Sequence, residues 1–177
     1  MAAGITIKIE LDPIYVDYCK HHLKADEQGR LFASEKTTIG QALKSLLNKR
    51  PASGVEPDPK TGLTFVIPDY RDIKPEYYNY LSKNSRKIFA DFLRKQFLFE
   101  MHKHIRDLHN SGYTEIKGAL IHFLEQHNIS PDSYNYETLK KEYYRYRLKK
   151  KAKNTKKLTS LFLSVLSYNC PLLVSFL

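Results

Sequence analysis

Between Lys140 and Lys157 the chain carries ten Lys or Arg residues and a single acid, Glu142. The formal net charge of the whole protein is +10, so nearly all of the excess sits in this one stretch and the remainder is close to neutral. Charge gathered this way is a localised device rather than a general surface property, and a concentrated positive field draws in polyanions at long range. The chemistry open to such residues is phosphate recognition. Lysine neutralises phosphates and displaces their counterions, and arginine can also pair with a guanine edge through two parallel hydrogen bonds.

Helical spacing places Lys140, Tyr144, Arg147 and Lys151 on one stripe, flanked by Lys141, Arg145, Lys149 and Lys150. Arg145 and Arg147 are the candidates for reading bases, while the lysines position the backbone. Tyr144 can hydrogen-bond a phosphate or stack on an unpaired base. Leu139, Tyr143 and Tyr146 fall at i, i+4 and i+7 and are expected to pack inward, on Phe123, Leu124 and Ile129. Basic residues near a helix end also complement the helix dipole, but ten cations against one acid are more than capping needs.

Other residue sets suggest chemistry and then fail on spacing. Cys19-Lys-His-His22 and His102-Lys-His104 hold metal-ligand types, yet zinc sites use properly spaced pairs of ligands. Neighbouring histidines such as His21 and His22 also belong to different faces of a helix. No metal or cofactor is expected. Asp69, Asp72 and Lys74 resemble the acid-and-lysine sets of metal-dependent nucleases, but both acids follow one strand and a Pro- and Asp-rich turn accounts for them. Thirteen tyrosines are present, without the Arg and His set that a nucleophilic tyrosine requires. There is no Gly-rich phosphate loop. The expectation is a non-enzymatic protein.

These residues must be positioned by a scaffold. Ile5 to Leu11 alternates aliphatic and polar residues, as a half-buried strand does. Asp12 and Pro13 open a short helix through Ile14, Tyr15, Tyr18 and Cys19. Ile39, Ala42, Leu43, Leu46 and Leu47 predict a second helix over Thr37 to Asn48. Pro51 to Gly62 reads as a surface loop, and Leu63 to Ile67, closed by Pro68, as a second strand paired with the first. Ile88, Phe89, Phe92, Leu93, Phe97, Met101, Ile105 and Leu108 define a long helix from about Ser85 that stops near Gly112. A shorter helix carries Ile116, Ala119, Leu120, Phe123 and Leu124, and after a turn at Ser130-Pro131-Asp132 the basic helix begins at Tyr136 and runs to about Lys153.

The fold expected is therefore α+β, predominantly α: a small two-stranded sheet with helices, then a three-helix, helix-turn-helix-like C-terminal unit. Its parts are 1–73, a small α+β portion; 74–157, a helical nucleic-acid-binding portion; and 158–177, an apolar tail. The connection from Gln126 to Tyr136 is longer than the 3–4-residue turn usual in a helix-turn-helix. The tail has no charge and the length of a bilayer core; behind a polybasic segment it allows an alternative reading as a membrane-associated protein. Only Cys19 and Cys170 are present, and no secretory leader is apparent, which favours the cytoplasm.

The run Ile116-Lys-Gly-Ala-Leu-Ile-His-Phe-Leu-Glu-Gln-His-Asn-Ile-Ser130, followed by Thr138-Leu-Lys-Lys-Glu-Tyr-Tyr-Arg-Tyr-Arg147, resembles uncharacterised small basic proteins of bacterial phages and mobile elements with a C-terminal helix-turn-helix-like unit. Ile39-Gly-Gln-Ala-Leu-Lys-Ser-Leu-Leu47 is similar to them too, so the resemblance covers most of residues 5 to 151. It implies a mobile-element setting and brings no activity or site residues. The function expected is that of a DNA-binding, regulatory protein contacting duplex through the basic helix 136–153, with an RNA-binding module as a further alternative.

Overall fold

The computed structural model of the chain describes residues 5–53, 59, 61–70 and 72–169. Two compact units divide at Tyr134 and Asn135. The sequence suggested a division near residue 73 instead. The first unit extends further because the long helix packs on the N-terminal elements.

The first unit is α+β. Strand β1 (Ile5–Ile9) runs antiparallel to β3 (Leu63–Ile67), with Ile7 opposite Phe65. A third strand, β2 (Leu31–Phe32), pairs in parallel on the other side of β3, giving the order β1-β3-β2. The sheet therefore has three strands rather than the expected two. Two residues are too few to display a period, so nothing local announces β2. β3 lies in the centre, and four of its five side chains are buried.

Helix α1 (Pro13–His22) follows Asp12, whose side chain makes no capping hydrogen bond, and helix α2 (Thr38–Leu46) follows Thr37, whose side chain does. Pro13 sits at the start of α1, where its missing N–H costs nothing. The Thr37 hydroxyl accepts from the Gly40 amide at 3.0 Å. Gly40 is required for packing, since a Cβ there would overlap the Ser34 carbonyl.

Helix α3 (Lys83–Asn110) is the organising element. Its buried residues are Ser85, Phe89, Leu93, Phe97, Met101 and Ile105, one every fourth position. Each such step advances about 40° beyond a full turn, so five steps carry the buried stripe about 200° around the helix. Successive partners must then lie on different sides. Phe89 meets Phe65 of the sheet edge to face at 5.6 Å, and Phe97 meets both Tyr18 of α1 at 5.5 Å and Phe123 at 5.6 Å. Ile88, expected on the apolar face, is 48 % exposed because the stripe follows i+4 alone.

Helix α4 (Ile116–Gln126) ends in a left-handed turn. Asn128 takes φ 51°, the Asn128 amide donates to Glu125 and the Ile129 amide to Leu124, which satisfies two orphan carbonyls of the last turn. The connection beyond it is tied back to α1: the Asp17 carboxylate accepts from the Ser130 amide at 3.1 Å and the Ser133 hydroxyl at 2.6 Å.

The second unit contains one helix, α5 (Tyr136–Asn169). Asn135 caps it, its side-chain oxygen accepting from the Thr138 amide at 3.1 Å. Glu137 in the first turn suits the positive end of the dipole. Among the described residues no helix is long and apolar enough to cross a membrane. Residues 170–177 of the expected apolar tail lie outside the described residues.

Candidate functional site

Two groups of side chains stand out, one on each unit. On α5, Leu139 and Tyr143 are buried and Tyr146 is half-buried, the stripe expected to face inward. Every one of Lys141, Tyr144, Arg145, Arg147, Lys149, Lys150 and Lys151 is exposed, and Lys140 is half-buried. From Lys149 to Lys157 the helix is exposed on all sides. A helix polar all round is held by its hydrogen bonds and local pairs, not by a core, and here it presents a run of cations.

The eight candidate residues are not equivalent. Lys140 lies 3.8 Å from Glu137 and 5.8 Å above the Tyr136 ring. Arg145 donates to Glu142 at 3.0 Å, one turn away. Among the described residues no ion pair is formed by Arg147, Lys149, Lys150 or Lys151, so these four carry uncompensated charge. Leu148, at 68 % exposed, interrupts them with an apolar surface.

The second group lies on the first unit, where α1, α3 and α4 meet. His21 and His22 close α1, and His127 caps α4. The ring centroids are 5.1 Å apart for His21 and His22, 4.9 Å for His21 and His127, and 5.3 Å for His22 and His127. Successive helical residues diverge by about 100°, which is why sequence spacing separated His21 from His22. The His127 ring approaches both, because the left-handed turn after α4 sets it beside the last turn of α1.

Glu100 of α3 supports this group. Its carboxylate lies 3.5 Å from Nε2 of His22 and accepts from Gln96 at 2.7 Å. Burial alone would raise its pKa, but the interactions with His22, Tyr18 and Gln96 prevail and hold the carboxyl down at about 2. Burial, then the neighbouring His21 and His22, push His127 down to about 4, so it is neutral at pH 7. A cleft of about 230 Å³ opens beside Glu100 and His22, with Tyr18, Lys36, Thr37 and Gln96 on its walls.

A second pair adjoins: Nε2 of His104 lies 3.0 Å from Nδ1 of His122, with the rings stacked. Burial first, and then His122, lower the His104 pKa. Five of the chain's seven histidines thus form these two clusters, and His102 and His109 lie elsewhere on α3. No local spacing pointed to this, since His127 is brought to α1 only by tertiary packing. Cys19 is not part of the group: its thiol is fully buried, and burial pushes it up to about 12. The chain matches no known protein family, no curated protein and no solved structure.

Proposed function

We propose that this is a DNA-binding protein, regulatory in role, that contacts duplex through the basic segment of α5 between Tyr136 and Lys153. The observation that carries the reading is the run of exposed cations from Arg147 to Lys151, which α5 leaves without acidic partners among the described residues. Lys141, Lys149, Lys150 and Lys151 place the phosphate backbone, and Arg147 is better disposed than Arg145 to reach a base edge because Glu142 engages Arg145. Tyr144, 43 % exposed between these residues, is available to a phosphate through its hydroxyl.

The test is titration of fluorescently labelled oligonucleotides, duplex and single-stranded, against the wild type and a variant with Lys149, Lys150, Lys151 and Lys153 all changed to Gln. The variant should lose at least about tenfold in affinity, roughly 1.4 kcal/mol, with duplex bound more tightly than single strands by the wild type. Equal affinity of variant and wild type would remove α5 as the contact surface. Tighter binding of single strands would move the assignment to RNA or single-stranded DNA.

A further inference from the structure

We propose that His21, His22 and His127 form a binding site for a divalent transition-metal ion of the class that imidazole selects, with zinc the first candidate. One ring nitrogen from each residue lies within 4.8 Å of the others. Nitrogens bound to one tetrahedral zinc at about 2.0–2.1 Å stand roughly 3.4 Å apart. The site thus needs side-chain rotations that close it by about an ångström or more. His21 and His22 are exposed and have room to turn.

Two further observations point the same way. Nδ1 of His127 is enclosed yet has no hydrogen-bond partner among the described residues, and a buried polar atom left without a partner costs free energy. Ligation of the ring by an ion, with local rearrangement, would relieve that cost. Glu100 also touches Nε2 of His22 at 3.5 Å. A carboxylate that closes from this distance to accept from Nε2 would fix the tautomer and leave the other nitrogen, Nδ1, with the lone pair that a metal needs. Glu100 is itself held by Gln96 at 2.7 Å, so the supporting carboxylate has a partner of its own.

The three ligands come from the ends of two helices, and their spacing is a property of the folded first unit. An ion bridging α1 to the cap of α4 would therefore stabilise that unit, because a ligand that binds only the folded state shifts the unfolding equilibrium. Three protein nitrogens leave the fourth tetrahedral position to water. This inference concerns the first unit alone and does not depend on α5 binding nucleic acid.

The experiment uses the full chain without a histidine tag, stripped by chelator and titrated with Zn²⁺ by calorimetry and with Co²⁺ by visible absorption. One ion per chain is expected, with a rise in the thermal midpoint on adding Zn²⁺. His21→Ala removes an exposed ligand without touching the core and should weaken binding at least about tenfold. Glu100→Gln should weaken it by roughly 10–100-fold, as loss of a supporting carboxylate does. His104→Ala should leave it unchanged, since that ring belongs to the neighbouring pair. Absence of stoichiometric Zn²⁺ binding would overturn the proposal, as would a His21→Ala protein that binds like wild type or binding abolished by His104→Ala.

Discussion

Arg147 and Lys150 are both exposed cations on α5, but a base edge and a phosphate ask different things of them. A guanidinium that reads a base contributes about 1–3 kcal/mol of discrimination, whereas an ammonium on a phosphate acts on all sequences alike. Once a preferred duplex has been selected, Arg147→Ala should lose affinity for it while retaining affinity for random duplex. Lys150→Ala should weaken both by the same factor, and competition titrations with the two duplexes distinguish these outcomes. The histidine group adds a second expectation at this scale. Unfolded His127 takes up a proton below its ordinary 6.5, but the folded residue resists until about 4, so stability falls as pH drops from 6.5 toward 4. Glu100 adds a loss from its ordinary 4.5 down to about 2. Urea midpoints of the chelator-treated protein should decline across this range, and a His127→Phe variant should flatten the portion above pH 4.5. The cations of α5 were readable because exposure follows from charge alone. The histidines were not, because residues 22 and 127 become neighbours only in the folded unit.

At the scale of elements, caps and periods carried most of the information. Thr37, Asp12 with Pro13, and Gly112 marked helix limits that the structure places within a few residues of expectation. β2 was missed because pairing with β3, not any pattern in Leu31 and Phe32, makes it a strand. Ile88 was misassigned because α3 buries every fourth residue in a stripe that winds around it, while an amphipathic pattern assumes a fixed face. Gly40 tests the packing at the start of α2. A methyl group there meets the backbone of Ala33 and Ser34 rather than a flexible side chain, so Gly40→Ala should destabilise the protein by about 1–3 kcal/mol, the range for overpacking. A urea midpoint equal to or above that of wild type would show that the backbone yields freely.

At the scale of the whole molecule, the charge is divided between the units very unequally. From Asn135 onward ten Lys or Arg face only Glu137 and Glu142, so the second unit holds +8 of the total +10. A nearly neutral folded body joined to a strongly cationic helix is a distribution suited to a polyanion. Its direct consequence is thermodynamic. Each phosphate neutralised releases counterions, and the affinity falls with salt along a slope of about −0.9 per contact. The decisive measurement is duplex affinity of the full chain across a salt series from about 50 to 200 mM, the range over which such dependence is steep. Four or more phosphate contacts along α5 predict a log–log slope of about −3.6 or steeper. An affinity that does not change with salt, or no binding at the lowest concentration, would contradict the account.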